Sequence, residues 1–294
     1  MGQIRLGIEA PADSMPQREK VLGFERCIGP PDLCFRFHPQ PPPNGPWPEK
    51  IRSEIAGFSH HLRCINGNWD SPFLGLEKVR KRLHEAVPVS ETVSLELLDT
   101  HLSVLDFHHL SLDVYHLPDV PSGTLFAYLG ERLFAPFLVA FDGIILHSSC
   151  VVRKNRAAVF LGHDGAGKTT VAQSSSEGSI LCDDQVILRR IEGQCRAFGT
   201  FWGRTFQASG QAPVGALFFL EQSDRFSLTP LSPLAVMKYL WTEYPYYHRP
   251  LPLKLCSRAF NLMLDLSRRI PAYLMRFGLD TIDWNEIDQV LLSE

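Results

Sequence analysis

Apolar and polar residues alternate in two stretches of the N-terminal region, and such alternation is typical of β-strands with one buried face. The first stretch is Thr92 to Leu98 and the second is Leu102 to Leu117. Upstream, the segment Pro39 to Pro48 contains six prolines and predicts an extended surface linker. Residues 1–120 carry no recognisable chemical motif, so their role is open, with substrate recognition as one candidate.

The apolar period becomes that of a helix from Ser122 to Phe141. One face of this helix is apolar and consists of Leu125, Leu129, Leu133 and Phe137. Two apolar runs follow, Gly143 to Val152 and Ala157 to Leu161, and a charged turn joins them. This pattern predicts a β-hairpin whose second strand leads directly into a glycine-rich loop.

Strands and helices alternate from this loop to the end of the sequence. A short helix is predicted directly after the loop. The predicted strands are Ser179–Cys182, the hairpin Val186–Ala197 with its turn at Glu192-Gly193, Ala216–Leu220, Phe226–Leu228 and Ile270–Phe277. The predicted helices start at Ser232-Pro233, cover Leu253–Leu266, and end with a helix that Asp283 caps and that directs Ile287 and Leu291 inward. The helix after Ser232 is predicted to have an apolar stripe of Leu234, Met237 and Trp241. The order of elements predicts an α/β domain over residues 121–294 with a mixed β-sheet and flanking helices. A smaller β-containing region, residues 1–120, precedes it.

The composition is that of an ordinary globular protein and argues against several classes of function. The 294 residues have a net charge of −3, with 45% hydrophobic and 21% charged residues, so no nucleic-acid or membrane partner is expected. The longest apolar stretch, Phe134 to Phe141, is too short to span a bilayer, and Met1 to Ala10 lacks a signal-peptide pattern. The seven cysteines include no Cys-x-x-Cys pair, which favours a reducing, cytoplasmic location.

The segment Gly162 to Thr169 matches the P-loop pattern G-x-x-x-x-G-K-[ST] between an apolar strand and a helix-compatible segment. Its glycines let successive backbone N–H groups face one anion, and the start of the helix adds its positive end. Lys168 is expected to reach the β- and γ-phosphates, and the Thr169 hydroxyl to bind Mg²⁺. The predicted nucleotide-binding residues, for ATP with Mg²⁺, are Gly162, His163, Asp164, Gly165, Ala166, Gly167, Lys168, Thr169 and Thr170.

An acidic pair, Asp183 and Asp184, ends the apolar strand that follows the loop. P-loop proteins need such an acid as a second partner of Mg²⁺. Adjacent side chains on a strand face opposite ways, but a strand end relaxes this rule and could let both carboxylates approach the phosphates. One carboxylate would then hold Mg²⁺, with Asp184 as the predicted ligand beside Thr169, and the other could take a proton from an attacking hydroxyl.

Two further polar residues belong to the predicted site. Asp164 lies inside the loop and could bind magnesium, orient a nucleophile or simply face solvent. His147 lies on the first strand of the hairpin, so strand pairing would bring its side chain to the mouth of the loop. There it could neutralise phosphate charge, although a lone histidine on a strand is more often structural.

Three segments together resemble the C-terminal catalytic domain of HPr kinase/phosphorylase: Ile145-Leu-His-Ser-Ser149, Phe160 to Thr169, and Leu181-Cys-Asp-Asp184. The similarity extends to the short HPr-kinase-like proteins of peptide-modifying gene clusters, including lasso-peptide kinases. It covers about residues 141 to 294 and includes the tail Arg268 to Phe277. The resemblance implies a P-loop core on a fold related to phosphoenolpyruvate carboxykinase, and phosphate transfer to a serine hydroxyl.

The resemblance also implies roles for individual residues. His147 is then the family's histidine ahead of the P-loop, Lys168 binds phosphate, and Asp183 and Asp184 supply the base and a metal ligand in an order that stays open. The sequence lacks a clear copy of the family's signature segment downstream of the aspartates, and Arg204 is only a candidate phosphate-contacting cation. This difference argues against HPr as the substrate and against the reverse dephosphorylation.

The predicted function is therefore that of an ATP- and Mg²⁺-dependent serine/threonine kinase acting on a peptide or small protein. The predicted catalytic residues are His147, Lys168, Asp183 and Asp184. One alternative is a nucleotide hydrolase or switch with water as the nucleophile. Others are a non-catalytic nucleotide-binding interaction protein and a small-molecule kinase, and a homo-oligomer is possible.

Overall fold

A computed structural model describes residues 4, 6–9, 30–40, 42, 62–65, 68–70, 81–83, 85, 92–97, 101–120, 122, 125, 134–200, 205–206, 208–247, 251–278 and 280–293. The chain forms two compact units. The first comprises Met1–Lys20, Cys27–Ala140 and His248–Cys256, and the second comprises Val21–Arg26, Phe141–Tyr247 and Ser257–Glu294. Most of the predicted proline-rich linker, together with Arg204, lies outside the described residues.

A seven-stranded sheet forms the first unit. Its spatial order is β1-β2-β7-β6-β5-β3-β4, with bounds β1 Leu6–Glu9, β2 Leu33–His38, β3 Leu62–Ile65, β4 Asn68–Asp70, β5 Val93–Leu97, β6 His101–Asp106 and β7 Ser111–His116. Buried and half-buried residues alternate along β2, as a sheet with one core-facing side requires. The ring of Phe35 is fully buried and packs against Phe134 and Phe137 of the helical residues 134–138.

The predicted single strand Leu102–Leu117 is wrong, because the segment forms two antiparallel strands, β6 and β7, with a turn between them. The Asp106 carboxylate accepts hydrogen bonds from the backbone N–H groups of His108 and His109, and Leu110 adopts a left-handed conformation with φ 49°. A side chain therefore stabilises a turn that contains neither glycine nor proline. The other predicted strand of this region, Thr92–Leu98, is confirmed as β5.

An eight-stranded sheet forms the second unit. Its strands are β8 Gly143–Arg153, β9 Arg156–Leu161, β10 Ser179–Cys182, β11 Gln185–Ile191, β12 Gln194–Phe198, β13 Gln211–Gln222, β14 Ser227–Pro230 and β15 Ala272–Phe277. The order is β10-β8-β11-β12-β13-β15-β14, and β9 pairs with both β8 and β13. Strands β9, β13 and β15 run parallel and the other pairs are antiparallel, so the sheet is mixed, as predicted.

Four helices with complete bounds accompany the strands. They are α1 Lys168–Ser174, α2 Pro233–Tyr247, α3 Leu253–Arg269 and α4 Trp284–Leu292. The predicted cap of α4 is confirmed, since the Asp283 carboxylate accepts the N–H groups of Asn285 and Glu286 while Ile287 and Leu291 are fully buried. In the predicted helix of residues 122–141, Ser122, Leu125 and residues 134–138 are helical, and Val139–Phe141 forms a 3-10 turn.

The predicted stripe of Leu234, Met237 and Trp241 is wrong in two of its three members. Met237 is buried, but Leu234 is 80% exposed and Trp241 is 47% exposed. The helix instead buries Val236, Met237 and Leu240, so the inward face is rotated by about one residue. None of the helices in the described part of the chain is long and apolar enough to cross a membrane.

Candidate functional site

The glycine-rich loop connects the end of β9 to the start of α1. Gly165 and Gly167 have positive φ angles of 81° and 99°, which residues with a side chain rarely adopt. A Cβ at Gly162 would lie 2.8 Å from the Ala166 Cβ, so this glycine permits the loop to fold back on itself. No atom lies within 4 Å of a Cβ built at Gly165, so the space next to this glycine is open.

Lys168, the first residue of α1, spans the inside of this loop. Its ammonium Nζ donates hydrogen bonds to the carbonyl oxygens of Gly162 at 2.8 Å and His163 at 3.0 Å. The residue is only 6% exposed, so these bonds hold a cation within the curl of the loop. A cation held inside a glycine-rich loop is suited to bind an anion.

Side chains from neighbouring elements hold the loop in place. The Ser149 hydroxyl of β8 donates to the Lys168 carbonyl at 2.7 Å, and the Thr169 hydroxyl donates to the Asp183 carbonyl at 3.1 Å. From the end of β13, the Gln222 amide donates to the Gly165 carbonyl at 3.0 Å. The loop and the start of α1 are therefore tied to two strands, β8 and β13, and to the segment between β10 and β11.

The two adjacent aspartates interrupt a single strand. Strand β8 pairs with β10 up to Cys182↔Cys150, and the same register resumes with β11 at Gln185↔His147. The interruption lies opposite Ser148, whose N–H still donates to the Asp184 carbonyl at 2.9 Å. A break in the ladder at this point frees both aspartate side chains from strict alternation.

The two carboxylates have different partners. Asp183 is 1% exposed, and its carboxylate accepts the backbone N–H groups of Thr205 and Phe206 at 3.1 to 3.2 Å. The side chain of Asp184 is 15% exposed, and its Oδ1 lies 3.0 Å from His147 Nε2. Asp183 thus fixes the backbone at residues 205–206, whereas Asp184 faces the histidine.

His147 lies between two carboxylates at the mouth of the loop. Its Nε2 is 3.0 Å from Asp184 and 3.5 Å from Oδ1 of Asp164, whose side chain is 87% exposed. Because β8 and β9 pair with Ser148 opposite Leu161, His147 sits next to the start of the loop. The structure therefore brings Asp164, His147, Lys168, Thr169 and Asp184 together around the loop.

The other predicted residues occupy peripheral positions. His163 and Thr170 are exposed, and His163 Nδ1 lies 2.7 Å from the Asp164 carbonyl. Gln222 was not predicted as a site residue, because only the parallel pairing of β13 with β9 brings it to the loop. A side chain at the carboxyl end of a strand next to the loop strand was the one signal that could have found it.

The residues fit a nucleoside triphosphate with Mg²⁺ by the chemistry of their donors. Lys168 and the loop amides supply hydrogen-bond donors for phosphate, and the open space above Gly165 leaves room for it. The Thr169 hydroxyl and the Asp164 and Asp184 carboxylates supply the hard oxygen ligands that Mg²⁺ prefers. In the described part of the chain, no group of three or more His, Cys, Asp or Glu residues could hold a metal ion by itself.

Comparisons with known proteins place this site within a family. The family model described as "SynChlorMet cassette protein ScmC" matches residues 137–292, more than half of the chain, and the matched range includes every residue of the site. No curated protein matches the sequence. Among solved structures, the Hpr(Ser) kinase/phosphatase from Coxiella burnetii is similar over 50% of this chain and 87% of that chain, with 10% identity and a TM-score of 0.28. A TM-score this low supports no statement about the fold or function of this chain.

Proposed function

The chain belongs to the ScmC family of SynChlorMet cassette proteins, and we propose that it is an ATP- and Mg²⁺-dependent kinase that phosphorylates a serine or threonine hydroxyl. The acceptor in this proposal is a peptide or small protein. The proposal unites the resemblance seen in the sequence with the arrangement of side chains around the glycine-rich loop.

One observation carries the proposal, namely the contact of 3.0 Å between His147 and Asp184 at the mouth of the loop. A phosphate-binding loop alone serves hydrolases, switches and kinases equally well. A carboxylate held by a histidine next to the expected position of the γ-phosphate adds a group that can take a proton from an attacking hydroxyl. Asp183 is not available for this role, since its carboxylate is bound to the backbone of Thr205 and Phe206.

The residues of the loop bind the phosphates of ATP. Lys168 Nζ turns from its two carbonyl partners to the β- and γ-phosphates, and the loop N–H groups bind the same oxygens. Thr169 and Asp164 would hold Mg²⁺, which neutralises phosphate charge when bound. Asp164 replaces the ligand predicted from the sequence, Asp184, because this proposal assigns Asp184 to the hydroxyl proton. Positioning and charge neutralisation provide most of the catalysis in phosphoryl transfer.

Asp184 acts on the acceptor in this mechanism. Its carboxylate takes the hydroxyl proton as the hydroxyl oxygen attacks the γ-phosphorus in line with the bond to the leaving diphosphate. The new O–P bond forms as the bond between the γ-phosphorus and the bridging oxygen breaks, and Lys168 stabilises the charge on ADP. His147 holds Asp184 in place through the contact of 3.0 Å.

Incubation with ATP labelled at the γ-phosphate tests the proposal. The protein is mixed with a library of serine- and threonine-containing peptides, and the label is followed into peptide and into free phosphate. Label on peptide is the expected result, and it should depend on Mg²⁺. Release of free phosphate at a rate unaffected by any peptide would support the hydrolase alternative instead and would refute the kinase.

A further inference from the structure

Gln222 ends β13 with its backbone held by the sheet and its side chain at the glycine-rich loop. The parallel pairing of β13 with β15 extends to Gln222 opposite Phe277, and the N–H of Ser223 donates to the Phe277 carbonyl at 2.8 Å. The Gln222 side chain is exposed, and its amide donates to the Gly165 carbonyl at 3.0 Å. The amide therefore reaches the loop from a backbone position that the sheet keeps in place.

Gly165 is a residue at which the loop needs such a restraint. It has a φ of 81°, and no atom lies within 4 Å of a Cβ built on it. A glycine has more backbone conformations available than any other residue, and Gly165 has no side chain whose packing could limit them. The hydrogen bond from Gln222 therefore restrains the loop at a point where packing does not.

The peptide group between Gly165 and Ala166 extends this restraint to the interior of the loop. In a trans peptide the C=O and the N–H point in opposite directions, so the bond from Gln222 also sets the direction of the Ala166 N–H. That N–H donates to the His163 carbonyl at 3.1 Å, and the same carbonyl accepts a hydrogen bond from Lys168 Nζ at 3.0 Å. A continuous series of hydrogen bonds therefore connects Gln222 to the Lys168 ammonium group.

We propose that Gln222 is a positioning residue that keeps the phosphate-binding loop ordered in the nucleotide-free protein. The inference rests on the proposed function and deepens it, because it assigns part of the affinity for ATP to a side chain that acts through Gly165 rather than on the nucleotide. A loop that is ordered in advance binds its ligand more tightly, since less conformational entropy is lost on binding. Gln222 takes no part in proton transfer.

The affinity of Gln222→Met for phosphate ligands tests this role. Methionine has a shape similar to that of glutamine but no N–H to donate, so the Gly165 carbonyl loses this partner. We expect the Kd for ATP with Mg²⁺ and the Kd for inorganic tripolyphosphate with Mg²⁺, both measured by calorimetry, to rise by the same factor of about 5–10. The KM for ATP should rise by that factor too, with kcat within a few-fold of wild type, because the occupied loop makes the same contacts with phosphate.

The two ligands distinguish the order of the loop from a direct contact with the nucleoside. A rise in the Kd for ATP alone would mean that Gln222 contacts the base or the ribose, and unchanged Kd values for both ligands would mean that the loop does not depend on Gln222. Either result overturns the inference and leaves the kinase intact. If the wild type binds neither ligand, the proposed function itself has failed. Gln194→Met, at the exposed start of β12, is the matched control and should leave both Kd values unchanged.

Amide hydrogen exchange provides a second measurement that needs no ligand. The Ala166 N–H of the free protein should exchange about 10-fold faster in Gln222→Met than in the wild type, because the peptide group that carries it is less restrained. The denaturant midpoint should stay unchanged, since the Gln222 side chain is exposed. An equal exchange rate in the two proteins would overturn the inference. Faster exchange throughout the second unit together with a lower midpoint would overturn it as well, since the effect would then be one of general stability.

Discussion

Asp183 and Asp184 are neighbours in the chain but have separate structural surroundings. Asp183 is buried and binds the backbone N–H groups of residues 205 and 206, whereas Asp184 contacts His147. The sequence alone left the two carboxylates interchangeable. Their difference depends on partners about twenty residues later and on a histidine from another strand, which no local pattern contains.

Substitution of each aspartate by asparagine should distinguish the roles of the two carboxylates. Asp184→Asn removes the proposed base and should lower kcat for phosphate transfer by about 10²–10⁴-fold. Its Kd for ATP, measured by calorimetry, should change by no more than a few-fold. A variant with near wild-type kcat would contradict the assignment of Asp184 as the base.

Asp183→Asn is expected to act mainly on stability. Asparagine places an NH₂ group against N–H donors, and we expect a loss of about 1–3 kcal/mol in the free energy of unfolding. Denaturant titration measures this loss. If Asp183→Asn abolished phosphate transfer in a protein of unchanged stability, the division between the two aspartates would be wrong.

Asp164 provides the prediction for Mg²⁺. Asp164→Asn removes one of the two ligands proposed for the ion and should raise the Mg²⁺ concentration at half-maximal rate by about 10-fold. The kcat at saturating Mg²⁺ should remain within a few-fold of wild type, in contrast to Asp184→Asn. An unchanged Mg²⁺ requirement would exclude Asp164 as a ligand.

At the scale of elements, local sequence signals predicted most of the strands and helices of the second unit. The caps at Ser232 and Asp283 and the turn at Glu192-Gly193 have short-range causes, and all three are present. The two failures had different causes, the first local and the second tertiary. The turn between β6 and β7 relies on the Asp106 side chain, and the buried face of α2 is set by packing, which the helical period alone does not fix.

Arg153 fastens three elements of the second unit together. Its guanidinium donates two hydrogen bonds to the Asp288 carboxylate of α4, at 2.7 and 2.8 Å, and another to Ser175, the residue that follows α1. It also lies 4.9 Å from the centre of the Trp284 ring. With 6% exposure of its side chain, Arg153 links the far end of the loop helix to the C-terminal helix.

Substitution of Arg153 should therefore lower the free energy of unfolding. Arg153→Met leaves a buried carboxylate with Lys154 at 3.8 Å as its remaining ion-pair partner in the described residues, and should destabilise the fold by about 3–5 kcal/mol. Arg276→Met breaks the exposed pair with Glu221 and is the matched control, with an expected loss below about 1 kcal/mol. Similar losses for both variants, measured by denaturant unfolding, would refute the special role of Arg153.

At the scale of the whole molecule, acid should destabilise the protein because of two buried histidines in the first unit. His101 and His116 face each other in the β6–β7 pair, and both are 1% exposed. Burial and the neighbouring His116 lower the pKa of His101 from 6.5 to about 4. Burial also lowers the pKa of His116, whose ring nitrogens lie close to the Leu117 carbonyl and the Ser122 hydroxyl.

The sign of the pH effect follows from these lowered values. Between pH 6.5 and about 4 the unfolded chain binds a proton at His101 that the folded chain does not bind. The free energy of unfolding is therefore at its full value above pH 6.5 and falls as the pH drops below it. At pH 5 the expected loss from His101 alone is about 2 kcal/mol. Denaturant midpoints at pH 7, 6 and 5 should show the loss in the wild type, a smaller loss in His101→Phe, and the full loss in the exposed control His108→Gln. A denaturant midpoint that stays constant from pH 7 to pH 5 in the wild type would contradict this prediction.

Lys168 has a consequence for ligand discrimination. Its ammonium group has two carbonyl partners at the outset, Gly162 and His163, so an incoming ligand competes with the chain for the same cation. An uncharged ligand such as adenosine has nothing that would draw the lysine away from peptide oxygens. The negatively charged oxygens of a polyphosphate should displace these carbonyl oxygens from the ammonium group, since hydrogen bonds between two charged groups are stronger than those to a neutral carbonyl. At the proposed nucleotide site, we therefore expect adenosine to bind much more weakly than the triphosphate.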